Sequence, residues 1–405
     1  MAVNLSAPKN LLDVSGVQLG TTAAGIKYAD RDDLLLLYFA EGSITSGVFT
    51  RNIFSAAPVQ IAKQHLQTTS PRAFLINSGN ANAVTGDQGL QSAIASCEFV
   101  TNKLGVNTEE VLPFSTGVIG EQLPMSVIKQ GVAKVELFAK KQWLPAAKAI
   151  MTTDTLPKAF SRTIQLANAE VTITGIAKGS GMICPDMATM LAYIVTDACV
   201  SQTVLDEFSV SIASNSFNAI TVDSDTSTND AFMITATQQA GHDCIESVES
   251  ADAKKLYVAL EEVAKLLAQS IIRDGEGATK FIEINAYGGV SQNTCSAVAY
   301  SLAHSPLVKT AFFASDPNWG RLLMAIGKAP VDDLEPNLVS VSVNKLAIVT
   351  DGQPDKNYTE TKGQAVFNEA ELVVDVKLGV TEFSQTVWTS DLSHEYVSIN
   401  ADYRS

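Results

Sequence analysis

The chain has 405 residues, 46% of them hydrophobic and 18% charged, which predicts a water-soluble globular protein of two or three domains. Its net charge of −15 argues against nucleic acid or an anionic membrane as a partner. The longest apolar runs, such as 34–40, are too short to span a bilayer, and residues 1–15 lack the features of a signal peptide, so we expect a cytoplasmic location.

The N-terminal part predicts alternating strands and helices. The continuous apolar run 34–39 is typical of a strand covered on both faces, and we expect it to pair with 25–28 across the charged turn 29–33. Further strands are predicted at 72–77 and 111–114. Helical spacing of apolar residues and glycine or proline boundaries predict helices at 56–66, 89–104, 124–140 and 146–151.

The middle of the chain continues the same alternation. A hairpin is predicted from 162–166 and 171–176, and a buried strand from 190–195. Helices at 204–220 and 254–272 flank a strand at 231–237.

From residue 281 the pattern indicates a smaller α+β lobe. We predict helices at 295–303 and 319–326 and strands at 281–286, 307–313, 338–349, 371–378 and 382–389. The fold class is therefore α/β, a layered α+β sandwich with helices packed on mixed sheets, with a catalytic core over 1–280 and a C-terminal lobe over 281–405.

Cysteine and histidine give no sign of a metal or a disulfide framework. No Cys-x-x-Cys pair and no helical histidine pair occurs, so we expect no metal and no cofactor. The scattered residues are Cys97, Cys184, Cys199, Cys244, Cys295, His65, His242, His304 and His394.

The stretch KGSGMICPDMATML (178–191) places one threonine, Thr189, between a glycine-rich loop and a buried strand. Such a position holds a hydroxyl rigidly and suits a nucleophile, although a threonine after a turn also serves as a plain cap. A threonine becomes a good nucleophile when its own α-amine is free to act as base, which requires cleavage between Ala188 and Thr189.

For several other polar residues, the sequence is consistent both with a role in a functional site and with a purely structural role. Thr116 and Gly117 follow a predicted strand, where a hydroxyl and an amide can form an oxyanion hole or simply a turn. Lys178, in a glycine-rich loop, is the better candidate for binding a carboxylate, whereas Lys158 is expected to be solvated. Glu276 suits a substrate ammonium group, but its glycine-rich surroundings also end a helix.

A resemblance to a known family decides between these interpretations. Together with 178–198, eight blocks resemble, in order, the ornithine acetyltransferase family, also called glutamate N-acetyltransferases. The blocks are GVFTRNIFSAAPV (47–59), NSGNANAVTGDQG (77–89), STGVIGEQLP (115–124), IMTTDTLPK (150–158), DSDTSTND (223–230), RDGEGATK (273–280), SPLVKTAFFASDPNWGR (305–321) and the C-terminal EYVSINADYRS.

The resemblance implies self-cleavage into chains 1–188 and 189–405 that stay together as an α2β2 heterotetramer. It implies a ping-pong transfer of acetyl from N-acetylornithine to glutamate through Thr189, with Thr116 and Gly117 as the oxyanion hole. The substrate-binding positions that match are Thr152, Lys178, Thr189, Glu276, Asn400 and Ser405.

Three substitutions depart from the family pattern: Asp186 replaces asparagine, Val84 replaces cysteine and Ser405 replaces threonine. The extra carboxylate at Asp186, three residues before Thr189, is the change with a chemical consequence, because it can slow self-cleavage or alter its pH dependence.

Two other functions stay open beside the acetyltransferase. A hydrolase of related architecture would keep Thr189 and the oxyanion hole but would not need Glu276 or Asn400. A non-catalytic binding protein is disfavoured by the intact Thr116, Gly117 and Thr189. No phosphate-cradling loop is evident, which favours acetylornithine as sole donor but leaves acetyl-CoA open.

Overall fold

The computed structural model describes residues 2–184 and 190–401. Within them lie strands β1 to β16 and helices α1 to α11. The strands are β1 Val17–Thr22, β2 Leu34–Phe39, β3 Ile44–Phe49, β4 Ala73–Asn80, β5 Val111–Val118, β6 Lys158–Gln165, β7 Glu170–Lys178, β8 Leu191–Thr196, β9 Ile220–Thr221, β10 Ala231–Ala236, β11 Phe281–Tyr287, β12 Ser340–Val343, β13 Leu346–Thr350, β14 Gln353–Pro354, β15 Glu371–Lys377 and β16 Ser384–Ser390. The helices are α1 Ala57–Thr68, α2 Gly86–Leu104, α3 Met125–Lys134, α4 Trp143–Ala149, α5 Gln202–Asn215, α6 Ala251–Arg273, α7 Gln292–Ala303, α8 Pro306–Phe313, α9 Trp319–Gly327, α10 Glu360–Phe367 and α11 His394–Ala401.

The chain divides into two compact units. The sandwich unit consists of Ser6–Asn218 and Asp225–Ile271. The seven-stranded unit consists, within the described residues, of 2–5, Ala219–Ser224 and 272–401. The division at residue 280 into a catalytic core and a C-terminal lobe stays a prediction.

Two mixed sheets pack face to face in the sandwich unit. The first has the strand order β1-β2-β4-β5 and the second β3-β10-β8-β7-β6. Alternation along β2 explains the layering: Leu35 and Leu37 face the core shared by the two sheets, whereas Leu34 and Leu36 face α2 and α3. Across the shared core, the rings of Phe114 and Tyr193 meet edge to face with centroids 5.2 Å apart.

Helices cover the outer face of the second sheet. α5 packs on β3 and β10, and α6 packs on β7. A Cβ at Gly175 of β7 would lie 2.9 Å from Leu267 of α6, so the small residue lets the helix approach the sheet closely. The resulting order of layers is helix, sheet, sheet, helix, which confirms the predicted α/β fold class.

The seven-stranded unit is a single mixed sheet with the order β14-β13-β12-β15-β11-β16-β9. Its core lies between the sheet and helices that include α7, α8 and α9. The central pair is parallel: Phe281 to Tyr287 of β11 lie opposite Glu371 to Lys377 of β15.

Several sequence predictions are wrong in detail. The single strand predicted at 338–349 is two strands, β12 and β13, and the helix predicted at 204–220 ends at Asn215. The predicted strand 307–313 is helix α8, because Ser305 caps it by accepting a hydrogen bond from the Val308 amide and Pro306 occupies its first turn. The partner of β2 is β1, not 25–28. The helix predicted at 124–140 ends at Lys134.

Over the part of the chain that the structure describes, no helix is long and apolar enough to cross a membrane.

Candidate active site

Thr116 and Gly117 lie near the end of β5, beside a bulge in its parallel pairing with β4. Ser78 lies opposite Thr116 and Gly79 opposite Gly117, and the register then shifts at Asn80. Gly117 has φ +135°, and a Cβ there would lie 2.2 Å from the carbonyl carbon of Gly79. Only glycine fits, and a bulge of this kind aims side chains differently from a regular strand.

Buried asparagines fix the backbone around this bulge. The Asn77 side chain donates to the Asn80 carbonyl at 2.9 Å and accepts a hydrogen bond from the Ser115 hydroxyl at 2.6 Å. From the loop that precedes β10, Asn229 donates to the carbonyls of Ala81 at 2.6 Å and Ser115 at 2.9 Å. These buried side chains satisfy three backbone carbonyls around the bulge and so restrain the backbone there.

Lys178, the last residue of β7, reaches Thr116 across the two sheets. Its Nζ lies 3.2 Å from the Thr116 Oγ1 and donates a hydrogen bond to it. Thr116 is only 8% exposed, so this contact is largely shielded from water. A hydroxyl that accepts from an ammonium keeps its own hydrogen available for another acceptor.

Asp154 joins the two segments that carry Thr152 and Lys178. One of its oxygens accepts hydrogen bonds from the Lys158 ammonium at 2.6 Å and the Gly179 amide at 2.7 Å. The other oxygen accepts from the Thr152 amide at 3.0 Å. A single carboxylate therefore sets the position of two predicted substrate-binding residues.

The Asp154–Lys158 ion pair is fully buried, with both side chains at 0% exposure. Burial alone would raise the pKa of Asp154, but the charges of Lys158 and Lys178 together with the Gly179 amide hold that pKa below its usual range. Lys158 is thus not the solvated lysine expected from the sequence. It neutralises the carboxylate on which the site is built.

Asp230 is a second buried carboxyl group in the sandwich unit. It is 3% exposed, and its Oδ2 has no hydrogen-bond partner within the described residues. Burial raises the pKa of Asp230 well above its usual value, against the opposing effects of a Ser227 hydrogen bond and the Lys178 charge. The residue precedes β10, whose first amide, that of Ala231, donates to the Met190 carbonyl.

Glu276 and Asn400 meet in the seven-stranded unit. The Asn400 side-chain amide, on α11, donates to the Glu276 carboxylate at 2.8 Å, and Glu276 is 7% exposed. Ser393 donates to the Gly277 carbonyl at 2.7 Å, so the beginning of α11 is attached to the same loop. The C-terminal segment up to residue 401 folds back onto the Glu276 loop within its own unit.

The predicted site residues therefore fall into three groups. Thr116, Gly117, Thr152 and Lys178 lie in the sandwich unit, and Glu276 and Asn400 lie in the seven-stranded unit. Ala188, Thr189 and Ser405 lie outside the described residues. Among the residues that the structure does describe, no cluster of three or more histidine, cysteine, aspartate or glutamate residues could hold a metal ion.

Sequence reasoning missed the supporting residues. Asp154 and Lys158 are four residues apart, a spacing that could have indicated an ion pair, but nothing in the sequence indicated that the pair is buried. Asn77 ended the strand predicted at 72–77 and Asn80 came just after it, and neither was expected to hold the backbone in place. Asn229 contacts a strand more than a hundred residues away, which no local pattern reveals.

Comparison with known proteins places this arrangement in a family. Residues 18–405 match the ArgJ family. A relative from Psychrobacter arcticus is 47% identical over 407 residues, and one from Pseudomonas syringae pv. tomato is 48% identical over 406 residues. Both alignments cover 100% of each chain, and both relatives are named arginine biosynthesis bifunctional protein ArgJ.

A solved structure agrees with this match. The crystal structure of arginine biosynthesis bifunctional protein argJ from Bacillus halodurans is 34% identical, with a TM-score of 0.50, and the alignment covers 53% of this chain and 99% of that chain. These findings confirm the resemblance drawn from the sequence blocks and the prediction that the protein is an acetyltransferase. The chain belongs to the ArgJ family.

Proposed function

We propose that the protein transfers acetyl from N-acetylornithine to glutamate by a ping-pong mechanism through an acetyl-Thr189 intermediate. The observation that carries this proposal is the contact between the Lys178 ammonium and the Thr116 hydroxyl, 3.2 Å apart, beside the glycine-only backbone of Gly117. A hydroxyl and an amide on a rigid strand end, next to a positive charge, suit a developing oxyanion.

The enzyme first cleaves itself. The Thr189 hydroxyl attacks the Ala188 carbonyl, the peptide C–N bond breaks, and the released nitrogen takes up the proton as the Thr189 α-amine. Water then hydrolyses the ester, leaving chains 1–188 and 189–405. The new α-amine, with an ordinary pKa of about 7.7–8.0, is suited to remove the hydroxyl proton in each later turnover.

Acetyl transfer then takes two balanced steps. The Thr189 oxygen attacks the acetyl carbon of N-acetylornithine, and the Thr116 hydroxyl and Gly117 amide stabilise the oxyanion. The C–N bond breaks, the amine nitrogen takes the proton, and ornithine leaves. The glutamate amine next attacks the acetyl ester, giving N-acetylglutamate and the restored Thr189 hydroxyl.

Both amino acids use one binding site in turn. Lys178 binds the α-carboxylate and Glu276 binds a substrate ammonium group. Thr152, whose amide donates to the same Asp154 carboxylate as the Gly179 amide, contributes to the same site. We also assign Asn400, which donates to Glu276 at 2.8 Å, and Ser405 to substrate binding. Water must be excluded long enough for the acetyl-enzyme to meet an amine.

The proposal also covers how the cleaved chains assemble and whether a second acetyl donor is used. The two chains remain associated as an α2β2 heterotetramer in the cytoplasm. The relatives are named bifunctional, and we propose acetyl-CoA as a second acetyl donor to glutamate.

Initial rates over a grid of acetylornithine and glutamate concentrations test the transfer, with free acetate measured alongside. Parallel lines in the double-reciprocal plot and acetylglutamate formation equal to ornithine release are expected. N-terminal sequencing should find Thr189 as a new N-terminus, and an active single chain of 405 residues would contradict the mechanism.

The same assay distinguishes a hydrolase. If acetate release equals acetylornithine consumption whether or not glutamate is present, the acetyl group goes to water. Glu276→Ala is a useful companion, because it should weaken both amino-acid substrates while self-cleavage proceeds normally.

A further inference from the structure

A buried carboxylate holds the loop 24–31 in a fixed shape. Asp33, only 2% exposed, accepts hydrogen bonds from three successive backbone amides: Ala24 at 2.7 Å, Gly25 at 3.0 Å and Ile26 at 2.6 Å. Such convergent amides stabilise an ionised carboxylate, and in return the carboxylate orders the loop. The loop therefore presents its side chains from a pre-organised backbone.

This loop lies against the strand end that carries the oxyanion-hole residues. The Ser78 amide donates to the Asp33 carbonyl at 2.9 Å. Lys27 packs on Gly79, since a Cβ on that glycine would lie 2.9 Å from the Lys27 Cβ. Gly79 is the residue that abuts Gly117, so one glycine separates the loop from the proposed oxyanion hole.

Two cations of the loop flank one aromatic ring. The Lys27 Nζ lies 5.4 Å from the centroid of the Tyr28 ring, and the Arg31 guanidinium carbon lies 5.0 Å from it. The Arg31 Nη2 donates to the Met151 carbonyl at 3.3 Å, next to Thr152. Arg31 is thus attached to a segment that carries a proposed substrate-binding residue.

The hydrogen-bonding capacity of Arg31 is incompletely used. Its Nε is buried and has no hydrogen-bond partner within the described residues. A buried donor without an acceptor is unfavourable, and more so when it is charged, so an anion that turns the guanidinium toward itself would remove an existing penalty. A planar guanidinium also matches a carboxylate in two parallel hydrogen bonds.

We infer that Arg31 binds the side-chain carboxylate of the acceptor amino acid, an inference that rests on the proposed function. The donor N-acetylornithine has one carboxylate, and Lys178 is assigned to it. The acceptor glutamate has a second carboxylate, which needs its own cation in a protein of net charge −15. Arg31 supplies that cation and thereby distinguishes acceptor from donor.

The test compares Arg31→Met and Arg31→Lys with the wild type in steady-state kinetics. Arg31→Met should raise the KM for glutamate about 10- to 100-fold and remove the preference for glutamate over glutamine as acceptor. The kcat/KM for acetylornithine in the ornithine-releasing half-reaction should change by less than about twofold. Arg31→Lys keeps the charge but not the two parallel bonds, so its KM for glutamate should lie between those of the wild type and Arg31→Met.

Arg162→Met is the matched control. Arg162 is in the same unit and is paired at 2.6 Å with Glu262, with 42% of its side chain exposed, so its removal changes net charge equally without touching the loop. It should leave the glutamate KM unchanged. Thermal denaturation of each variant shows that it is folded, and Arg31→Lys carries the test if Arg31→Met does not fold.

The outcomes separate the inference from the proposed function. Equal rises in KM for acetylornithine and glutamate would assign Arg31 to the α-carboxylate and overturn the inference. A rise in KM for acetyl-CoA alone would mean a phosphate ligand, and an unchanged glutamate KM would mean no ligand; either result overturns it. Absence of acetyl transfer in the wild type overturns the proposed function and this inference with it.

Discussion

The Lys178 ammonium donates to the Thr116 hydroxyl at 3.2 Å, although the two residues come from different sheets of the sandwich unit. The hydroxyl oxygen accepts this bond, and its hydrogen stays available. Thr116 can therefore donate to an oxyanion while the positive charge of Lys178 contacts the hydroxyl oxygen. Lys178 therefore has two proposed tasks: it orients the oxyanion-hole hydroxyl and attracts a substrate carboxylate.

Replacing Thr116 with alanine should lower kcat by about 10²- to 10³-fold, because the hydroxyl stabilises charge that develops only in the transition state. Thr116→Ser keeps the hydroxyl and should retain most of the rate. Initial rates at saturating acetylornithine and glutamate measure the effect. An alanine variant that folds and turns over normally would mean that Thr116 serves only the structure of the turn.

Removing Lys158 should destabilise the protein strongly. Lys158→Met leaves the Asp154 carboxylate buried without its main counter-charge and should lower the free energy of unfolding by about 3–5 kcal/mol. The double variant Asp154→Asn, Lys158→Met removes both charges and should recover part of the loss. Urea denaturation followed by circular dichroism measures both.

A surface ion pair provides the comparison for that experiment. Arg162→Gln breaks the pair with Glu262, whose side chain is 49% exposed, and should change stability by no more than about 1 kcal/mol. If Lys158→Met were equally mild, Asp154 would not depend on Lys158 for its charge.

Much of the fold was predictable because apolar alternation and turn residues act locally. The apolar run 34–39 predicted β2. The helical spacing of Leu256, Leu260, Val263 and Leu267 predicted α6. Local signals failed where they conflicted: the apolar run 307–313 favoured a strand, but the Ser305-Pro306 start made it helix α8. The bulge at Gly117 was not predictable, because it depends on the neighbouring strand.

The candidate site was predictable only in part. The family blocks predicted Thr116, Gly117 and Lys178 as site residues, but the pairing of Lys178 with Thr116 depends on how two sheets stack. Asp154 was missed because the sequence carries no signal for burial of a charge. Its environment arises when β6, β7 and the preceding loop come together in three dimensions.

Asp230→Asn should stabilise the protein increasingly as pH rises. Burial raises the pKa of Asp230 above its ordinary value of 3.8, so the folded state keeps a proton that the unfolded chain releases. The contribution of Asp230 to wild-type stability therefore falls with rising pH above that ordinary value, by at most about 1.4 kcal/mol per pH unit, and the neutral amide removes this loss. Melting temperatures from about pH 5 to pH 8 should show a widening margin; a constant margin would contradict the assignment.

Lys309 should give the opposite pH dependence in the seven-stranded unit. It is 4% exposed and donates to the Thr389 hydroxyl at 2.9 Å and to the Ser390 carbonyl. Burial lowers the pKa of Lys309 from 10.5 to about 8, against the attraction of Asp391 and Asp223. The unfolded chain thus binds more protons between these two values, and stability should rise with pH there, by about 3 kcal/mol at most.

Lys309→Met should abolish that rise. Denaturant midpoints of the wild type and the variant across this pH window measure it, with Lys345→Met, on an exposed turn, as the control that should follow the wild type. A rise of equal size in Lys309→Met would mean that another group is responsible.

Gly79 of β4 and Gly117 of β5 face each other, and this contact limits which substitutions the protein can accept. At Gly47, an added Cβ would meet the Met233 sulfur at 2.4 Å, so a smaller residue at 233 is a compensating change. At Gly117 the obstacle is the backbone of Gly79, which no second substitution can shrink. In a library of paired substitutions, Gly47→Ala should acquire suppressors at position 233, whereas Gly117→Ala should acquire none.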